Sequence, residues 1–112
     1  MFCYQCQETI GNKGCTKGGA CGKKPATAEL QDVNVYLLQG LAVCADKAGR
    51  LGDKKTGLFT LQSLFSTITN ANFDDARFTT LITEALERRE KSRAKFLEVW
   101  KKKNGSDFNG TL

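Results

Sequence analysis

Four cysteines near the N-terminus have the type and spacing to do chemistry. They form the pattern C-x2-C-x8-C-x5-C and are Cys3, Cys6, Cys15 and Cys21. Four thiolates can complete the coordination of one tetrahedral metal ion or of one four-iron cluster. Because the chain contains no histidine, a mixed Cys/His site is excluded. We therefore predict that this segment holds a metal centre, and the pattern favours an iron–sulfur centre.

Zinc and disulfides are the alternatives that the cysteine pattern leaves open. Zinc sites often contain two close C-x2-C pairs, but here only Cys3 and Cys6 form such a pair. Cys15 and Cys21 are single ligands on a glycine-rich loop, which suits a larger cluster. The N-terminus lacks the basic and apolar regions of a signal peptide. We therefore expect a cytoplasmic location, where metal or redox chemistry is commoner than disulfides.

Residues 1–25 are predicted to form an irregular loop around the bound centre. The segment has no apolar periodicity, and its glycines are Gly11, Gly14, Gly18, Gly19 and Gly22. Glycine permits tight bends that bring backbone N–H groups close to a bound group. Hydrogen bonds from such groups to cluster sulfurs help to set the reduction potential.

Residues 26–49 are predicted to form the first helix. Its main apolar stripe consists of Leu30, Val33, Leu37, Leu41, Cys44 and Ala48. A second stripe consists of Val35, Leu38, Ala42 and Ala45. Apolar residues on two sides indicate a helix packed between partners. Thr27 is the expected N-cap, and Gly49 and Gly52 mark the expected end. Cys44 lies on the main stripe, so we interpret it as a core residue rather than a ligand.

Two further helices are predicted after a polar linker at residues 50–56. The second is indicated by Leu58, Leu61, Phe65 and Ile68, with Phe59 and Leu64 alongside, and ends at a turn at residues 70–72. The third is expected to begin with Asp74 as its N-cap and to end at Gly105. Its apolar positions are Phe78, Leu81, Ile82, Ala85, Phe96, Leu97 and Trp100.

These elements predict an all-α fold. We expect a three-helix bundle over residues 26–112 with an N-terminal cysteine- and glycine-rich cluster-binding loop over residues 1–25, together forming one compact domain. Three helices can cover little more than one side of each other. An exposed apolar patch that includes Leu38 and Phe59 is therefore expected, and with it self-association as a homodimer.

The charge pattern argues against nucleic acid and membrane as partners. The chain has a net charge of +5, but the basic segment 84–103 is interspersed with glutamates. Glu84 with Arg88 and Glu87 with Lys91 have the favourable i,i+4 order of a solvated helix face. A nucleic-acid site would cluster its charge and include aromatic residues. No apolar run approaches the about 18 residues of a membrane span.

The N-terminal sequence resembles the hybrid-cluster proteins, which are also called prismane proteins and hydroxylamine reductases. The similarity rests on residues 1–9 (MFCYQCQET), 14–16 (GCT) and 19–23 (GACGK), and continues through 27–32, 72–75 and 103–105. Members of that family with this short cysteine spacing bind a [4Fe–4S] cluster, whereas longer-spaced members bind [2Fe–2S]. The resemblance thus implies a [4Fe–4S] cluster on the four N-terminal cysteines.

The resemblance also implies that this chain corresponds to only part of such an enzyme. Family members are several times longer, and their hybrid cluster is held by His, Glu and Cys ligands in later domains. The chain is then either an N-terminal fragment of such an enzyme or a short stand-alone member, and we favour the fragment. We expect it to take electrons from a redox donor protein and not to reduce hydroxylamine or nitric oxide by itself. The lysines of the loop, which are Lys13, Lys17, Lys23 and Lys24, are expected to favour the reduced cluster and to attract an acidic donor. The alternative function is a non-catalytic zinc-binding helical interaction module.

Overall fold

Three helices follow a loop of 24 residues, in the order that the sequence predicts. The computed structural model describes residues 1–49, 53–68 and 73–111. The helices are α1 (Pro25–Lys47), α2 (Lys54–Ile68) and α3 (Asp75–Asn104), and a 3₁₀ turn lies at Ile10–Asn12. The described residues contain no strand beyond one isolated antiparallel bridge. The predicted all-α three-helix bundle is confirmed.

Both predicted ends of α3 are confirmed by its capping geometry. The side chain of Asp74 accepts a hydrogen bond from the backbone N–H of Arg77 at 3.2 Å, which satisfies one of the free N–H groups of the first turn. At the other end Gly105 adopts the left-handed conformation with φ of 70°, and its N–H donates to the Lys101 carbonyl. Glycine is favoured there because it has no Cβ.

α1 begins one residue earlier than predicted, and the prediction of Thr27 as its N-cap was wrong. The helix begins at Pro25, and the N-cap Lys24 makes no side-chain capping bond. Proline suits the first helical position because its fixed φ is helical and it has no N–H to leave unpaired. Thr27 is instead buried inside the first turn, where its hydroxyl donates to Asp75 Oδ1 at 2.7 Å. This bond joins the start of α1 to the start of α3.

α2 begins earlier than predicted, because Asp53 caps it. The Asp53 carboxylate accepts from the backbone N–H of Thr56 at 3.3 Å and also from the Thr56 hydroxyl. Residues 54–56, which we assigned to the linker, are therefore helical. Residues 50–52 of that linker, which include Gly52, and the turn predicted at 70–72 lie outside the described residues.

The apolar core lies mainly between α1 and α3, which pack along each other. Its buried members are Leu37, Leu38, Leu41, Phe59, Phe78, Leu81 and Ala85. Cys44 is buried as predicted. Val33 is not, because the inward-facing positions beside it on α1 are occupied by the polar residues Gln31 and Asn34.

α2 faces the opposite way from the prediction. Its buried residues are Phe59, Ser63 and Thr67, and α2 makes far fewer contacts with α1 than α3 does. Asn34 of α1 donates to the Ser63 carbonyl at 3.5 Å. Three buried polar atoms near this contact, which are Gln31 Oε1, Asn34 Oδ1 and Ser63 Oγ, find no partner among the described residues. Because this contact is polar and incompletely paired, it stabilises the fold less than the α1–α3 core does.

The outer face of α2 is an exposed apolar patch, but its members differ from those predicted. Leu38 and Phe59 are only 2% and 6% exposed, because both belong to the core. The exposed residues are Leu58, Leu61, Leu64, Phe65 and Ile68, at 41% to 66%. These five residues, hereafter the α2 outer face, include the very stripe that we expected to be buried.

Candidate iron–sulfur site

A reciprocal pair of backbone hydrogen bonds brings two of the four predicted ligands together. The N–H of Cys3 donates to the Cys15 carbonyl at 2.9 Å, and the N–H of Cys15 donates to the Cys3 carbonyl at 2.8 Å. This is the only bridge between extended segments in the described part of the chain. It places the first and third cysteines of the pattern directly opposite each other.

Tight turns before Cys15 make this pairing possible. Gly11 and Asn12 in the 3₁₀ turn have φ of 62° and 55°, which reverses the chain between the two bridged cysteines. Gly14 follows with φ of 151°, and a Cβ at this position would collide with the ring of Phe2. Glycine is therefore required at position 14 for both its backbone conformation and its close contact.

The sulfur of Cys15 is surrounded by hydrogen-bond donors. The backbone N–H groups of Ile10 and Ala20 hydrogen-bond to the thiol, and together with the charge of Lys23 they lower its pKa against the opposing effect of burial. Such bonds stabilise the thiolate relative to the thiol. Cys15 itself is buried. The loop thus provides a polar surrounding for a negatively charged sulfur at this position.

Lys23 is the unexpected member of the site, because the sequence analysis treated all four loop lysines alike. Only 2% of the residue is exposed. Its Nζ lies 3.6 Å from Cys3 Sγ and 3.3 Å from Gln5 Oε1. No pattern in the sequence distinguishes it from its exposed neighbour Lys24, and only the path of the loop shows which one is turned inward.

The four cysteines differ in exposure, and of the bridged pair Cys15 is buried and Cys3 is half-buried. Cys6 is half-buried and Cys21 is exposed. A Cβ added to Gly19 would lie 3.1 Å from Cys21 Sγ and 2.9 Å from Lys23 Cβ, so a glycine is needed for the chain to pass between them. None of the five cysteines is in a disulfide. Within residues 1–49, 53–68 and 73–111, no three His, Cys, Asp or Glu side chains are grouped so as to hold one metal ion.

The surroundings of these cysteines nevertheless fit an iron–sulfur cluster. The available donors are all sulfur, which suits soft metals and iron–sulfur clusters. Backbone N–H groups point at Cys15 Sγ, and an ammonium group lies beside Cys3 Sγ. Both favour a site whose sulfurs carry negative charge.

Cys44 lies apart from this site, near the C-terminal end of α1. Burial raises the pKa of its thiol, so the thiol stays protonated and chemically quiet. Its position in the core agrees with the interpretation from the sequence.

A family model decides which group of proteins this loop and bundle represent. The model described as the Prismane/CO dehydrogenase family matches residues 1–110. The chain belongs to this family. The match includes the cysteine loop and all three helices, as the resemblance of the N-terminal motifs implied.

Hydroxylamine reductases are among the similar proteins. The hydroxylamine reductase of Nitratidesulfovibrio vulgaris is 54% identical over 114 residues, which cover 100% of this chain and 21% of that protein. The enzyme of Halothermothrix orenii is 51% identical over 100% of this chain and 20% of its own length. That of Petrotoga mobilis is 47% identical over 96% of this chain. The chain therefore spans about a fifth of the length of these relatives.

None of the described helices is long and apolar enough to cross a bilayer.

Proposed function

We propose that this chain is the N-terminal [4Fe–4S] electron-transfer domain of a hydroxylamine reductase. The proposed ligands are Cys3, Cys6, Cys15 and Cys21. The observation that carries the proposal is the surrounding of the sulfurs: N–H donors at Cys15 and the buried ammonium of Lys23 at Cys3. Hydrogen-bond donors and a positive charge beside sulfur favour metal-binding thiolates over neutral thiols.

When bound, such a cluster would accept and release one electron at a time. The residues of this chain would set how readily that happens. The Cys3–Cys15 bridge would hold two ligands at a fixed separation, and the turns through Gly11 and Gly14 would keep solvent from Cys15. Hydrogen bonds to the ligand sulfurs spread their negative charge, which favours the more negatively charged reduced state.

The proposed substrate of the complete enzyme is hydroxylamine, which takes up two electrons and two protons to give ammonia and water; nitric oxide is a second candidate. The relatives named hydroxylamine reductase are about five times longer than this chain. The chain has no histidine, so it lacks one ligand type of the hybrid cluster that the resemblance implies. By itself it is therefore expected to show no turnover of hydroxylamine, even with its own cluster bound.

The proposed partners are an acidic redox donor and the hybrid-cluster domains of the complete enzyme. Lys13, Lys17 and Lys24 are exposed on the cysteine loop, where they can attract a negatively charged donor in a salt-dependent manner. The proposed location is the cytoplasm, where a reducing environment keeps the cysteines available for iron.

The α2 outer face is the proposed contact with the hybrid-cluster domains. Its five large apolar side chains are 41% to 66% exposed. We propose that in the isolated chain a second copy covers this face, most simply through a two-fold dimer. An apolar groove beside it, lined by residues that include Ala42, Ala45 and Gly57, would admit a side chain of the second copy.

A visible spectrum and an EPR spectrum of anaerobically purified protein test the proposal. A brown protein with broad absorbance near about 400 nm, the thiolate-to-iron charge-transfer region, and an EPR signal after reduction would support it. A colourless protein that contains one zinc would instead favour the zinc-binding interaction module. A reduced spectrum typical of two irons would contradict the assignment of the cluster type.

A further inference from the structure

We propose that Lys23 is the buried counter-charge of the four-cysteine site and raises its reduction potential. This inference rests on the proposed function, since it assigns a role to one residue beside the proposed cluster. The four lysines of the loop were expected to act together through their charge. In the structure Lys23 is buried, whereas the other three are exposed.

The first argument is burial without a carboxylate. Lys23 is among the least exposed residues of the chain at 2%, alongside core residues such as Leu41 and Phe78. None of the ion pairs formed among the described residues involves Lys23. Removing an ammonium group from water is costly unless a partner compensates its charge. A buried lysine in a small loop therefore requires a negative group close to it.

The second argument is the identity of its neighbours. Nζ contacts Cys3 Sγ at 3.6 Å and Gln5 Oε1 at 3.3 Å. The Gln5 amide is neutral, so it can orient the ammonium group but cannot balance its charge. Of the two neighbours only the sulfur can carry a negative charge, which it does as a metal-bound thiolate.

The third argument is that the loop is built to hold this residue inward. The Gly19 N–H donates to the Lys23 carbonyl at 2.8 Å. A Cβ at Gly19 would lie 2.9 Å from Lys23 Cβ, so the chain passes too close for any other residue. The same turn carries Cys21, so Lys23 lies two residues after one proposed ligand in the chain and in contact with another, Cys3.

The consequence for the redox chemistry follows from the sign of the charges. Reduction adds one negative charge to the site, so a fixed positive charge close to a ligand sulfur stabilises the reduced state more than the oxidised one. The effect is larger for a buried ammonium than for exposed ones, because solvent and salt screen the latter. Lys23 should therefore affect the potential more than Lys13, Lys17 or Lys24.

Anaerobically loaded wild-type protein and the variants K23M, K23R and K24M provide the test. The reduction potential of each is measured by EPR-monitored titration at low and at high ionic strength. Methionine keeps the length of the side chain without its charge. We expect K23M to lower the equilibrium constant for reduction of the cluster about tenfold, which lowers the reduction potential by about 59 mV for a one-electron couple. This shift should persist at high salt. K23R should restore most of the wild-type potential, and any shift in K24M should disappear at high salt.

The outcomes separate this inference from the proposed function. A wild-type protein without iron and sulfide would overturn both. A wild-type cluster with the same potential in K23M, or equal shifts in K23M and K24M, would overturn the role of Lys23 alone. If neither variant at position 23 retains iron, the reduction potential of the variant Q5L provides the test instead. A lower potential in Q5L, whose ammonium has lost its orienting partner, would support the inference, and an unchanged potential would overturn it.

Discussion

The cysteine loop, residues 1–24, and the α1–α3 pair are held in place by different kinds of interaction. Among the described residues the loop has one reciprocal backbone bridge, a few turn hydrogen bonds and one buried lysine. The α1–α3 pair has a continuous apolar core, with Leu41 and Phe78 fully buried. From this comparison we expect the bundle to fold without metal, and we expect the order of the loop to depend on the proposed cluster.

The largest expected effect tests the loop side of this comparison. Replacing Cys15 or Cys21 by serine should abolish the cluster, because a hydroxyl is a poor ligand for iron in such sites. The helical circular dichroism should remain, since these residues lie outside the core of the bundle. Iron content and far-ultraviolet spectra of the two variants measure both effects.

Cys44→Ser is the matched control for those variants. It should retain the cluster and lose roughly 1–3 kcal/mol of stability, the usual cost of a buried hydroxyl without a partner. If Cys44→Ser bleaches the protein while Cys21→Ser does not, the ligand set is wrong.

The second prediction tests the bundle side. Phe78→Ala should lower the free energy of unfolding by about 3–5 kcal/mol, because it removes a fully buried ring from the α1–α3 core. Leu58→Ala, on the α2 outer face, should change it by less than about 0.5 kcal/mol in the monomer. Denaturant titration of the metal-free chain measures both. Similar losses in the two variants would show that α2 packs with its outer face inward.

Much of this architecture could be predicted from the sequence, and the α2 face shows where prediction fails. The caps Asp74 and Gly105 act through their immediate neighbours, so local patterns are sufficient to find them. A helical stripe such as Leu61 and Phe65 indicates that a face will be covered, but it does not say whether the cover comes from the same bundle.

The site shows the same limit. The four cysteines are recognisable from type and spacing alone. The inward turn of Lys23 depends on contacts with Cys3 and Gln5, which lie 20 and 18 residues earlier in the chain. Likewise, the hydrogen bond between Thr27 and Asp75 joins residues 48 positions apart. Local sequence therefore suggested that Thr27 is an N-cap, whereas it connects two helices.

The third prediction concerns the α2 outer face. The isolated chain should form a dimer at micromolar concentration, and the double variant L61E/F65E should be monomeric because like charges then face each other across the contact. Tyr36→Glu, at an exposed position on α1, is the control and should leave the dimer intact. Sedimentation velocity distinguishes these states. A monomeric wild-type chain that binds no apolar dye would refute the proposed contact.

The smallest expected effect concerns the start of α3. Asp74→Ala removes the side chain that accepts from the Arg77 N–H, and such substitutions usually cost about 1 kcal/mol. Asp74→Asn should restore most of that stability, because asparagine is an equally good N-cap. Thermal unfolding of the two variants should show this order, and equal losses would mean that Asp74 acts through its charge rather than its cap.

The central claim is that four cysteines of this loop together hold one four-iron cluster. Its most direct test is the iron and acid-labile sulfide content of the chain after anaerobic purification. The account predicts four irons and four sulfides per chain, with little zinc. One zinc per chain without sulfide, or two irons with two sulfides, would contradict it.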